Sequence, residues 1–121
     1  MDATPPLLTV ASRLLGDTVR LISVCGEVDV TTGPQLDSAL AQAWTPPSPC
    51  ALLVDLGNTT FFGSSGLRCL LTADHEARTH GATFGVCNPS RPALRALKAA
   101  ALDGVFPLYT TTSAALAHHT P

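Results

Sequence analysis

Ser64 and Ser65 stand side by side in the stretch ALLVDLGNTTFFGSSGLRCLL, residues 51–71, between an apolar run and an amphipathic one. A serine hydroxyl is a poor nucleophile until something removes its proton, so the pair can do chemistry in two ways. It can attack a substrate with the help of a nearby His and Asp, or accept a phosphoryl group from another enzyme that brings the base. The layout puts both hydroxyls at the opening of a helix. There, unpaired backbone N–H groups and the positive end of the helix dipole hold an oxygen or a phosphate. The structural alternative makes Ser64 a helix N-cap, a role worth about 1 kcal/mol.

Hydrolase chemistry fails on pattern. Gly63-Ser64-Ser65-Gly66-Leu67 is not G-x-S-x-G, because Leu67 stands where the second glycine is needed. No later Asp and His fall at loop ends to complete a triad, since His118-His119 lie at the terminus. The chain is therefore read as a non-enzyme, and Ser64 is left as either a helix cap or an acceptor.

The elements that must position these serines follow from hydrophobic spacing. Residues 7–14 and 19–25 are β-rich runs joined by Gly16-Asp17, a turn pair that predicts an N-terminal hairpin. Gly26-Glu27-Val28-Asp29 leads into Thr31-Thr32-Gly33-Pro34, a helix start with Thr32 or Gly33 as cap and Pro34 in the first turn. Leu36, Ala39, Leu40, Ala43 and Trp44 then recur at helical spacing, until Thr45-Pro46-Pro47-Ser48-Pro49 ends the helix. Residues 51–56 form a nearly unbroken apolar strand, followed by a short polar loop before the serines.

The helix after the serines is expected to turn Leu67, Leu70, Leu71 and Ala77 inward, with Arg68, Thr72, His75, Glu76 and Thr79 mainly outward, and to stop at Gly81. A strand over 82–87 follows. A helix opened by Ser90 and Pro92 runs to near Gly104, a strand covers 105–109, and a terminal helix covers 111–118. The order β-β-α-β-α-β-α-β-α makes an α/β fold: a mixed, mostly parallel sheet with an N-terminal β-hairpin and about four helices. Functional surfaces of such sheets lie at the carboxyl ends of the strands, where Asp29 and Ser64 both project.

Composition bounds the partners. The 121 residues carry 7 Lys and Arg against 9 Asp and Glu, a formal charge of −2. The cations look scattered, so no source of phosphate-backbone affinity is visible and nucleic acid is excluded as a partner. No apolar run approaches the roughly 20 residues that span a bilayer, and the start MDATPPLL lacks the basic flank of a signal peptide. A cytoplasmic protein without membrane contact is expected. Cys25, Cys50, Cys69 and Cys87 show no metal-like spacing and read as small buried apolar residues; neither metal nor cofactor is implied.

Three stretches, in order and at the right separation, resemble the STAS domain of the anti-sigma factor antagonist type over nearly the whole chain. They are Gly26-Glu27-Val28-Asp29; Val54-Asp55-Leu56 followed by Ser64-Ser65-Gly66-Leu67; and the tail from Arg91 through Gly104-Val105-Phe106 to Ala114-Ala115-Leu116. The resemblance implies one STAS domain over 1–121, with an ordered core of about 7–117. It makes Ser64 the phosphoacceptor and maps the family's conserved acid to Asp29. Unphosphorylated members bind an anti-sigma factor, often a GHKL-type serine kinase, and so free a sigma factor. The kinase ends the contact by phosphorylating the serine, and a phosphatase resets it.

Asp29, Phe62, Gly63, Ser64 and Ser65 are the partner surface that follows. The family's usual aspartate before the serines is Gly63 here. The alternative within the fold is a STAS module that scaffolds a bacterial signalling assembly without being phosphorylated.

The neighbouring residues have plainer readings. Of Phe61 and Phe62, one is expected in the core and the other exposed as a partner anchor, with Phe62 assigned to the partner surface. Asp29 can also cap loop amides, and Asp55 reads as a structural acceptor for loop N–H groups. His75 and His80 read as solvated, and His118-His119 as a polar tail rather than a metal site. A receiver-type signalling domain is ruled out, because its lysine would follow a late strand whereas Lys98 lies within a predicted helix.

Overall fold

Gly16 and Asp17, both at positive φ (58° and 60°), reverse the chain between β1 (Leu8–Leu15) and β2 (Val19–Val28). The Thr18 N–H closes that turn on the Leu15 carbonyl at 3.2 Å. The remaining elements are α1 (Gly33–Gln42), β3 (Ala51–Phe62), α2 (Ser64–Thr79), β4 (Thr83–Cys87), α3 (Arg91–Ala99), β5 (Leu108–Tyr109) and α4 (Thr112–His119). The computed structural model describes residues 6–119; part of the start read for a signal peptide, and the last two residues, lie outside them.

The sheet runs β1-β2-β3-β4-β5, antiparallel between β1 and β2 and parallel elsewhere. This is the expected architecture. One face, built by Ile22, Val24, Leu52, Val54, Leu56, Phe84 and Val86, packs on Leu36 and Leu40 of α1, Leu70 and Ala73 of α2, and Leu97 of α3. The other face, with Val19, Leu21, Ala51, Leu53 and Cys87, is covered by Ala115 of α4. Three helices thus cover one face of the sheet and one covers the other.

Several local expectations are corrected. The polar residues after Leu56 are not a loop. They prolong β3 to Phe62, because β2 also continues and pairs with them through Cys25–Asn58, Gly26–Thr59 and Val28–Phe62. On α2, Leu70 and Ala77 are buried as expected and Cys69 and Ala73 join them, but Leu71 is 42% exposed. α3 ends at Ala99 rather than near Gly104. Ala101 takes a left-handed φ of 58°, and the Leu102 N–H bonds the Leu97 carbonyl at 2.8 Å.

Other side chains also sit differently from their sequence reading. Cys25 and Cys50 are exposed; only Cys69 and Cys87 are buried. His80 is exposed as expected, but its ring also stacks on Trp44 with centroids 4.5 Å apart. His119 is no loose tail, since its ring nitrogens meet Thr83 at 2.9 Å and Tyr109 at 3.0 Å. Arg91, Arg95 and Lys98 gather along one exposed face of α3, so the cations are not wholly scattered. Among the described residues no helix is long and apolar enough to cross a membrane.

Asp55 does what its position predicts. Its Oδ1 accepts the Gly57 N–H at 2.8 Å and the Asn88 side-chain amide at 3.3 Å, and its Oδ2 accepts the Thr112 hydroxyl at 3.0 Å. One carboxylate thereby ties β3 to the start of α4.

Candidate functional site

Pairing of Val28 with Phe62 brings the ends of β2 and β3 side by side, and the Gly63 N–H then donates to the Val28 carbonyl at 2.9 Å. Asp29 and Ser64 therefore leave the sheet from adjacent strands at the same edge. Gly26, at φ 115°, makes room for this: a Cβ there would collide with the Leu7 carbonyl oxygen, which accepts the Glu27 N–H at 2.8 Å.

Asp29 organises the loop into α1. Its Oδ1 accepts the N–H groups of Thr31 and Thr32, both at 2.9 Å. The Thr32 hydroxyl accepts the Asp29 N–H at 3.0 Å and lies 2.7 Å from the Glu27 carbonyl. The capping role is thus realised. The bond from the Thr32 backbone, opposed by partial desolvation, holds the Asp29 carboxyl below its ordinary value of 3.8. Because the folded value is the lower one, the carboxylate's contribution to stability is complete above about pH 4 and disappears as pH falls through the folded value. Asp29→Ala is accordingly expected to lower Tm at neutral pH, by a margin that shrinks in acid; melts across that range check it.

α2 begins without a side-chain cap. Gly63 occupies the N-cap position with φ −100° and ψ −168°, and Ser64 is the first helical residue. This corrects the reading of Ser64 as a structural cap. Its side chain is exposed, and among the described residues neither Ser64 nor Ser65 makes a side-chain hydrogen bond. The Gly66 and Leu67 N–H groups turn back to the Gly63 carbonyl at 3.0 and 3.2 Å, while those of Ser64 and Ser65 have no intrahelical acceptor. Ser90, by contrast, is a true cap on α3: its hydroxyl accepts the Ala93 N–H at 3.3 Å and lies 2.6 Å from the Thr59 hydroxyl. Ser64→Ala should therefore change stability by less than about 0.5 kcal/mol, and Ser90→Ala should cost about 1 kcal/mol or more. Urea unfolding of the two variants checks the contrast.

The two phenylalanines separate cleanly. Phe62 is 4% exposed, and its ring lies 2.6–2.9 Å from where a Cβ on Gly66 would stand. Any larger residue at position 66 would drive α2 off the sheet. The assignment of Phe62 to the partner surface is therefore corrected, because its ring is the wedge that seats α2. Phe61, 50% exposed, lies beside Gly63 with its ring 3.0 Å from that residue's missing Cβ. Val30, 81% exposed, adds a second apolar group from the β2–α1 loop. Sequence reading put the wrong ring on the partner surface. β3 gains one residue on β2 between Ser23 and Cys25 and another between Gly26 and Glu27, and each bulge reverses the side-chain alternation.

Ser65 faces α1, its Cβ 3.1 Å from the missing Cβ of Gly33. The starts of α1 and α2 therefore abut, and neither carries an acidic residue in its first turn. Between them opens a cleft of about 330 Å³ lined by Val30, Asp37, Ser65, Arg68, Cys69 and Thr72, among others. Burial pushes the Cys69 thiol up to about 11, with Asp37 raising it and Arg68 opposing, so both charges act on the cleft wall. Arg68 is a residue the sequence reading left as merely outward. No cluster of three His, Cys, Asp or Glu able to hold a metal occurs among the described residues.

The STAS domain family model matches residues 15–115. The anti-sigma-F factor antagonist RsfB of Mycobacterium tuberculosis is 33% identical over 98 residues, 81% of this chain and 79% of that protein. The crystal structure of an anti-sigma factor antagonist from Mycobacterium paratuberculosis is 35% identical and superposes with a TM-score of 0.81, covering 94% of this chain and 95% of that one. SpoIIAA, the Bacillus cell fate determinant, shares the fold at 17% identity. Its unphosphorylated form has a TM-score of 0.77 over 91% of this chain and 95% of that one, and its phosphorylated form 0.70 over 91% and 98%.

Proposed function

The chain belongs to the STAS domain family, with the anti-sigma factor antagonists, and on that premise we propose that it binds an anti-sigma factor through the surface around Ser64 and releases it when Ser64 is phosphorylated. Binding frees a sigma factor; phosphorylation returns it to its inhibitor. The observation that carries this reading is the Ser64 hydroxyl itself, exposed and unbonded at the start of α2, with the exposed Phe61 ring beside the preceding Gly63.

The partner is of the GHKL serine-kinase type and the site of action cytoplasmic. In the transfer, Ser64 Oγ attacks the γ-phosphorus of ATP held by the kinase. A P–O bond forms as the bond to the ADP oxygen breaks, and the hydroxyl proton passes to a base of the kinase. This chain contributes position, not catalysis. A phosphatase reverses the modification by hydrolysis.

The product adds about 1.5 to 2 negative charges at pH 7. Within the domain that charge is tolerated, because the Ser64 and Ser65 amides and the dipole of α2 face it. Gly63 favours this, since an aspartate there would place a carboxylate on the same amides. Across a fitted interface the same dianion must be desolvated, beside the ionised Asp29, and the contact is lost. The switch is a local charge change without refolding.

Gly63 also motivates a second reading, a constitutive scaffold, because the residue usual before the serines is missing. Incubation with the cognate kinase and ATP, followed by intact mass, separates the two. One phosphate on the wild type and none on Ser64→Ala supports the switch; no gain where a related antagonist is modified supports the scaffold.

A further inference from the structure

Arg68 lies four residues after Ser64, on the same face of α2. Side chains on a helix lean toward its N-terminus, so a residue at this position is within reach of the first turn. Arg68 is exposed, lines the α1–α2 cleft with Ser65 and Asp37, and is the only cation among the cleft's residues. Among the described residues it makes no ion pair; the one found there is Arg78–Asp74 at 2.8 Å. Asp37 is the carboxylate across the cleft, and it too is unpaired.

We infer that Arg68 is a clamp for phosphorylated Ser64: the guanidinium, without an ion pair among the described residues, pairs with the phosphate once it is present. This rests on the reading of Ser64 as phosphoacceptor and adds a consequence to it. The phosphate is the better acceptor, carrying up to two charges and three oxygens against one charge on Asp37. Drawing the cleft's cation to the phosphate leaves Asp37 as the charge on its wall, so the cleft beside the serine turns from balanced to acidic. One covalent event then changes the charge of two adjoining surfaces. A partner resting on both loses contact at each, while the fold, which uses neither Arg68 nor Asp37 in its core, is untouched.

Installing phosphoserine at position 64 by genetic-code expansion tests the clamp without any kinase, so its failure is distinct from failure of the phosphorylation reading. The second ionisation of the phosphate, followed by phosphorus NMR, is the readout. The charged groups bearing on it are Arg68, Asp29 and Asp37, with the amides of Ser64 and Ser65. Arg68→Gln is expected to raise that ionisation by about half a pH unit, and Arg68→Lys to restore most of the difference. Asp37→Asn should lower it, and by more with Arg68 present than in the double variant, because the carboxylate competes for the guanidinium. An unchanged titration in Arg68→Gln, or an equal effect of Asp37→Asn with and without Arg68, would overturn the clamp.

Discussion

Phe62→Ala is expected to cost about 3–5 kcal/mol, close to the whole stability of a domain of this size. The ring is buried between the end of β3 and Gly66 of α2, which has no side chain to fill the gap. Phe61→Ala should lose under about 1 kcal/mol of stability, since half of its surface already faces water. Its effect appears in binding instead, where loss of an exposed aromatic anchor beside Ser64 should weaken the anti-sigma factor complex about tenfold or more. Urea unfolding followed by Trp44, the single tryptophan, buried and stacked on His80, reads the first effect. Titration with the partner reads the second. Equal destabilisation by the two substitutions would contradict the placement of the rings.

Ser64→Glu is expected to weaken the same complex about tenfold or more while leaving Tm unchanged or slightly higher. An acid at the first position of α2 meets free amides and the positive end of the dipole, a favourable term of about 0.3–1 kcal/mol. At the interface it must be desolvated without a partner, which is costly. The carboxylate imitates only part of a phosphate, so the loss should be smaller than the one phosphoserine produces. A fall in Tm comparable to that of Ser90→Ala would mean the Ser64 hydroxyl has a structural role not evident in its contacts. Calorimetric melting and a binding isotherm on one preparation decide it.

Much of this site was legible before any coordinates. The apolar run at 51–56, the Gly16-Asp17 turn, Pro34 in the first turn of α1 and Ser90 as cap on α3 are local signals, and local physics decided them. The juxtaposition of Asp29 with Ser64 followed from topology, because parallel strands present their carboxyl ends together. What escaped was set by long-range pairing. β3 continues through the polar residues 57–60 because β2 supplies hydrogen-bond partners, and no periodicity within one segment reports that. The two bulges hid which phenylalanine enters the core. Leu71 faces water although Leu70 is buried, since adjacent helical positions lie about 100° apart and only one can meet the sheet. Arg68 reads as one outward residue among several until the cleft beside α1 gives it a neighbourhood.

The most direct measurement is the affinity of the cognate anti-sigma factor for this protein with serine and with phosphoserine at position 64, by calorimetry at fixed salt. Binding weaker by about 100-fold or more with the phosphate, at unchanged Tm, is the expected result. Equal affinity of the two forms would contradict the switch and leave a STAS module that holds its partner regardless of Ser64.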